Sequence, residues 1–501
     1  MPSSLLVSGF DIREVSLPED AEVLLPPLPL PAHDDFKDQV IRALDEPIAG
    51  LPLGKRVKPS SKVTLVLDDF TLPVPLASRD ARKEMLEAVL EALAHFQVRP
   101  ANITALVGTG LSRQWRPAEL TELLGARSTS MIAVRSHDAE STTELSRLAD
   151  EPEGPIELSR LVVETDLVLH LAVVNMPLAA GTFNLVAGTA GYRTARVLNA
   201  PKLFDDDTPL VTGSLWHRAH TRVGELLMQK TQVMQLAAVL NNELWTSSIA
   251  SLLRTETPGL SRPLQMWNAL PSAVRHRAAR VMRASYRPIS ALAGPPDAVA
   301  PRAVELFLRQ HEVQAQGGEA DILLFGLPDL GPWSVGTAQN PVLVTNLALG
   351  FVSNLFTKAP LVREGGVIVF LNPLSPTFDA RAHRPHLDFY EKVLRIEREP
   401  EAIHERYEPF LASRPELVAD YQRRYAFHGA HPLLAWYQCA PARRRTSRII
   451  VAGGDPRACA RLGFMGASDI EDALRKAKEA LAMDNPKVRV LELPPPFFVR
   501  V

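Results

Sequence analysis

The sequence predicts an α/β protein made of two α/β domains with a cleft between them. Short apolar runs rich in β-branched residues recur at 62–67, 102–107, 161–171, 321–325, 366–371 and 448–452. Runs of this kind read as buried strands. Helical patterns alternate with them, which is the order that builds parallel sheets. The chain has 501 residues, more than one hydrophobic core usually fills. The first domain is placed at 1–290 and the second at 303–501, joined by a linker at 291–302 within an Arg- and Pro-rich stretch.

Bulk properties exclude several function classes. Hydrophobic residues make up 46% and charged residues 22%, a globular balance. A net charge of −2 gives no general attraction to nucleic acid or anionic lipid, so neither is expected as a partner. Cys439 and Cys459 are too few for a disulfide framework or a cysteine-rich metal site. They fit a reducing compartment. The first residues lack a signal-peptide pattern, and no run of about 18 apolar residues occurs. A cytoplasmic protein outside the membrane is the expectation. The 42 prolines are scattered, which predicts stiff loops.

The segment KVTLVLDDFTLPVP, residues 62–75, organises the rest. Its apolar half is a strand. Asp68 and Asp69 stand at the end, and Pro73 and Pro75 stop any continuation. Open α/β sheets bind ligands at the carboxyl ends of their strands, which makes Asp69 a candidate site residue. Aspartates at such places also bond the local backbone of turns. Before this segment come a short strand, the Pro-rich crossing LLPPLPLPAH and a helix near 35–44. After it, residues 79–97 carry Met85, Leu86, Val89, Leu90, Leu93 and Phe96 as one helical stripe. His95 beside the stripe reads as packing.

The strand at 102–107 ends in Gly108-Thr109-Gly110-Leu111-Ser112-Arg113. A glycine turn between strand and helix can offer backbone N–H groups to a phosphate. A tight turn alone also calls for glycine. Residues 131–135 form a strand ending at Ser136-His137-Asp138, where a His-Asp pair is either a proton-transfer pair or an ordinary turn. His217 and His220 share one side of a predicted helix. With no third ligand in view they read as surface histidines. Arg275, Arg277, Arg280 and Arg283 form a solvated basic helix face. In the second domain a capping box at Ser468 to Glu471 opens the last long helix, and a strand closes at 488–493. His428 and His431 read as structural.

These segments carry a resemblance. Asp69-Phe70-Thr71-Leu72-Pro73 resembles the Asp-x-Thr-Arg-Pro signature of the nickel-dependent lactate racemase family, with Leu72 at the arginine. Gly108 to Arg113 resembles its Thr-Gly-x-His-Arg, with Ser112 at a histidine that serves as acid/base group. Pro177 and Ala180-Gly181 resemble its Pro-His-x-x-Ala-Gly, with Leu178 at a second histidine. Asn184 falls nearest the lysine that tethers the cofactor. The nickel-binding histidine expected near 195–200 meets Arg196-Val197-Leu198-Asn199. Near the substrate the family places a Tyr-Gln pair and a lysine, where this chain offers Trp333, Gln339 and Asn340. FHGAHPLLAWYQCA and RLGFMGASDIEDALRKAKEAL resemble the family's C-terminal portion, so the resemblance runs almost the whole length in order.

The resemblance implies an isomerase: a racemase or epimerase of a 2-hydroxy acid that transfers hydride to a nickel-pincer nucleotide. Held here, that nucleotide would be non-covalent. The candidate catalytic residues are Asp69, Ser112, Arg113 and His137. The candidate cofactor-binding residues are Thr71, Gly108, Thr109, Gly110, Gly181 and Asn184, and no metal ligand is assigned. A serine hydroxyl does not replace imidazole as a base near neutrality, and leucine takes no proton. Altered or lost activity follows. Three readings stand: a divergent racemase using His137, His170 or His428; a non-catalytic binder of a nucleotide or small hydroxy acid; and an interaction or regulatory protein. The expected cleft is lined by residues 68–75, 108–113 and 175–191.

Overall fold

Three strands open the chain, β1 (Ser3–Gly9), β2 (Asp11–Ser16) and β3 (Glu22–Leu24), and none joins the sheet that follows it in sequence. The structure is a computed structural model that describes residues 3–32, 34–70, 76–244, 262–329, 335, 338–492 and 497–501. Thr71, Leu72 and Trp333 lie outside the described residues.

The first sheet contains β4 (Val63–Asp68), β5 (Ile103–Gly108), β6 (Ala133–Ser136), β9 (Leu167–Val174), β10 (Gln232–Leu240) and β11 (Pro288–Gly294). The strands β7 (Leu145–Glu151) and β8 (Gly154–Ser159) form a separate antiparallel hairpin. The order β11-β10-β9-β4-β5-β6 puts β4 inside the sheet, and only β11 runs antiparallel to its neighbour. Every residue of β4 is buried. That is the signature of a parallel strand covered on both faces. On one face Leu65 and Leu67 meet Met85, Leu86 and Val89 of the helix Ala81–His95. On the other, Val66 joins Leu185 and Val186 of the helix Phe183–Thr189 and Val223 and Leu227 of the helix Leu215–Met228.

The second sheet holds β13 (Ala320–Pro328), β14 (Val362–Leu371), β15 (Thr446–Ala452), β16 (Met465–Ala467) and β17 (Val488–Leu491), together with β1 to β3. Between them in sequence, β12 (Glu312–Gln314) pairs with β18 (Phe498–Arg500). Residues 3–24 thus sit in the second sheet, not in the domain of 1–290. The register Ser8↔Leu327 and Arg489↔Glu22 fixes them there. Residues 291–302 are no linker either. They contain the end of β11 and the start of the helix Pro296–His311.

Other local expectations shift for identifiable reasons. The run at 161–171 divides into a helical turn, Arg160–Val163, and β9. Thr165 and Asp166 mark the break, bonding the Lys62 carbonyl at 2.9 Å and the Lys62 N–H at 2.9 Å. His220 is not a surface histidine. It is 1% exposed, its Nδ1 lies 3.0 Å from the Trp216 carbonyl, and burial lowers its pKa to about 4. The last long helix, Ile470–Leu481, is capped by Asp469, which accepts from the Asp472 N–H at 2.9 Å.

The domains meet through buried polar contacts. Glu408, fully buried, accepts from Tyr437 at 3.0 Å and pairs with His404 at 2.6 Å in its own domain. From the first domain Tyr192 reaches it at 3.3 Å and Arg196 at 3.5 Å. His428 bonds Glu140 across the same seam at 2.7 Å. No helix among the described residues is long and apolar enough to cross a membrane.

Asp329, just past β13, is 5% exposed with Asn372 Nδ2 at 3.4 Å. Burial raises its carboxyl to about 7. The native state therefore holds a proton that the unfolded chain releases near pH 4. Stability falls as pH rises between those values and stays reduced above about 7. The variant Asp329→Asn removes the titration. Its melting temperature should exceed that of the unmodified chain by several degrees at pH 8 and differ little at pH 4, as read by calorimetry.

Candidate site at the strand ends of the first sheet

Asp68 is the last residue of β4 and is 3% exposed. Backbone pairing of β4 with β9 ends at Leu67↔Leu171, and the Asp68 carboxylate takes up the ladder. Its Oδ2 accepts from the Val173 N–H at 2.9 Å and from Asn184 Nδ2 at 2.9 Å. Its Oδ1 bonds His170 Nε2 at 2.8 Å. His170 sits in mid-β9 opposite Gln235 of β10. The Gln235 amide accepts from the Gly181 N–H at 3.1 Å and donates to the Gly181 carbonyl at 2.8 Å, which sets its orientation. Its Nε2 faces His170 Nδ1 at 3.4 Å. His170 Nδ1 is thus the acceptor, and Nε2–H donates to Asp68. One polar chain runs Asp68–His170–Gln235–Gly181 through three strands. A buried carboxylate needs such donors, because desolvation without them is costly.

Asp69 is half-buried and supports the turn. Its Oδ1 accepts from Trp115 Nε1 at 2.7 Å and from the Phe70 N–H at 2.7 Å. Arg82 closes the strand end from the other side. Its Nη1 donates to the carbonyls of Asp69 at 2.5 Å and Asp68 at 3.3 Å, while Asp80 grips its fork at 2.8 and 2.5 Å. The guanidinium also lies 4.0 Å from the centre of the Phe70 ring. Arg113 stacks on Trp115 at 4.2 Å and pairs with Glu119 at 3.0 and 3.1 Å. Arg82 and Arg113 thus each have a carboxylate partner within the chain, while the buried Arg113 Nε makes no hydrogen bond among the described residues.

The glycine turn is a packing device. Gly110 has φ +53°, and its N–H donates to the Gly188 carbonyl at 2.9 Å. A Cβ on Gly188 would come within 2.6 Å of the Gly108 carbonyl oxygen, so two backbones touch here. The N–H groups of Thr109 and Ser112 bond the carbonyls of Val107 at 3.0 Å and Thr109 at 2.9 Å. Thr109 Oγ1 donates to the His137 carbonyl at 3.1 Å. His137 is 2% exposed, its Nε2 donates to the Ala190 carbonyl at 2.9 Å, and burial lowers its pKa to about 4. Second-domain groups seal the turn: Tyr421 donates to the Gly110 carbonyl at 3.0 Å and the His428 N–H to that of Leu111 at 3.1 Å.

The sequence candidates thus gather at one end of one sheet. Asp69, Ser112, Arg113, Gly108, Thr109, Gly110, His137, Gly181 and Asn184 all lie there. Asn340 lies in the second domain, where it caps the helix Pro341–Thr345. Arg82 and Gln235 have no counterpart among the sequence candidates. Asp80 directly before a helix with an arginine two residues on is the one local signal for Arg82. Gln235 carries a weaker one, a polar residue inside an apolar strand.

Residues 9–197 match the family model of the lactate racemase N-terminal domain. The chain is lactate-racemase-like. The structure of the lactate racemase apoprotein from Thermoanaerobacterium thermosaccharolyticum is similar over 100% of both chains, at TM-score 0.67 and 15% identity. A crystal structure of a Thermotoga maritima protein is similar over 95% of this chain and 100% of that one, at TM-score 0.53 and 13% identity. At these identities the likeness establishes the fold. No curated protein matches the chain.

The described residues of this site lack the groups that would tether a nickel-pincer nucleotide covalently in this lactate-racemase-like chain. The Asn184 amide is bonded to Asp68 and has no amine for a tether. Leu178 is fully buried, and residues 195–198 belong to the helix Tyr192–Leu198, whose Arg196 turns to Glu408. Among the described residues no three His, Cys, Asp or Glu side chains are grouped to hold a metal ion.

Replacing Arg82 by Met leaves the buried Asp80 carboxylate and two strand-end carbonyls without their donor. Urea unfolding should show a loss of about 3–5 kcal/mol, the scale of breaking a buried ion pair.

Proposed function

We propose that this lactate-racemase-like protein has left nickel-pincer racemisation and acts as a binding or regulatory protein on the same fold. The observation that carries the reading is the Asn184–Asp68 bond: the residue that falls nearest the family's tethering lysine is an amide that closes an internal network. The two imidazoles nearest the strand ends are equally committed. His170 bonds Asp68 and faces Gln235, and His137 donates to Ala190. A general base must reach a substrate proton; both nitrogens of His170 face groups of the chain, and the His137 ring is 2% exposed. Arg82 and Arg113 both have carboxylate partners, so neither is held ready to clamp a substrate carboxylate.

The test is co-expression with the enzymes that make the nickel-pincer nucleotide, beside an active lactate racemase as loading control. Elemental analysis should find nickel in the control and none in this chain, and neither D- nor L-lactate should racemise. Near-stoichiometric nickel, or racemisation of either enantiomer, would overturn the reading.

A further inference from the structure

The Pro-rich crossing between the two sheets is held in a form that proteins use as a ligand. From residue 25 to residue 31, Leu-Pro-Pro-Leu-Pro-Leu-Pro, every position is a proline or directly precedes one. Proline fixes φ near −65°, and a following proline excludes the helical region, so the whole stretch is confined to polyproline II or closely related extended backbone. That helix repeats every three residues and has no internal hydrogen bonds. Leu25 and Leu28, three apart, are 53% and 75% exposed, and Leu30 and Pro31 are exposed beside them.

The inward side is tied down by three amide side chains. Asn242 donates to the Pro27 carbonyl at 2.8 Å and Asn241 to that of Leu30 at 3.0 Å. Gln310 donates to the Leu28 carbonyl at 3.2 Å and accepts the Leu30 N–H at 2.7 Å. All three amides are buried. The carbonyls of Pro26 and Pro29, again three apart, take no hydrogen bond among the described residues. An uncharged edge of leucine and proline, with acceptors in step, is thus presented on a rigid mount. No ionisable side chain occurs from 23 to 32. Asp34 and Asp35, which follow, are exposed and paired with Arg287 and Arg42 at 3.1 Å each.

We propose that residues 25–31 are a docking ridge for a partner protein with an aromatic-lined groove for polyproline II. Such grooves read stacked proline and leucine edges and donate to the free carbonyls. Preformed backbone lowers the ordering cost of binding. The proposal stands apart from the loss of racemase chemistry, since residues 25–31 take no part in the hydrogen bonds of the strand-end site.

The full-length chain is titrated against a panel of purified SH3, WW and EVH1 domains by calorimetry. Saturable binding to at least one is expected. Leu28→Glu, and separately Leu25→Glu, should weaken it tenfold or more with an unchanged melting temperature. Leu387→Glu, an exposed leucine elsewhere, should leave it intact. No binding across the panel, or binding that survives both strap variants, overturns the proposal. So does self-association in sedimentation that Leu28→Glu abolishes, because the ridge would then serve a second copy of this chain.

Discussion

A buried carboxylate held by an imidazole, an amide and a main-chain N–H, with Arg82 reaching only its residue's main-chain carbonyl, is the constraint on which the first domain depends. Asp68 sits where a wholly apolar strand must end, and its charge is held by a main-chain N–H, an amide and an imidazole. Each donor fixes a different element. Val173 holds β9, Asn184 holds the helix over the sheet, and His170 passes the demand on to Gln235 and the turn at Gly181. Hydrogen bonds to a charged group are each worth about 1.5–3 kcal/mol, and losing one strands the charge. The strand end is therefore rigid because it is satisfied. The same saturation leaves it few groups with which to do chemistry.

The second constraint is the double crossing between sheets. Residues 3–24 pair in the second sheet, cross by the proline strap to build the first, and return through β11 and the helix Pro296–His311. Gln310 on that returning helix grips the outgoing strap, so the two crossings brace each other. Buried Glu408 and the Glu140–His428 pair then fasten the seam on the far side of the glycine turn.

Much of the fold is legible in the sequence because its signals are local. The strand before Asp68, the helix with the Met85–Leu93 stripe and the Asp69 turn follow from periodicity and proline. The pairing of β1 to β3 with β13 and β17 is invisible there, because strand partners hundreds of residues apart leave no local pattern. The candidate site divides in the same way. Its place at the strand ends is readable. The roles are not: Asp68 and Asp69 are adjacent and chemically identical, and only the pleat decides that one faces the buried network and the other Trp115. The glycines at 108 and 110 read equally as a phosphate turn or a close packing. Gly188, eighty residues on in the chain, decides for packing.

The most direct test of this account is a double-mutant cycle between Asp68 and Asn184, using Asp68→Asn, Asn184→Leu and the pair, measured by denaturant unfolding. A coupling of about 2 kcal/mol is the result the account predicts, with the double variant less destabilised than the sum of the single ones. Additive losses with no coupling would contradict it, for Asn184 would then be available to a ligand and not bound into the fold.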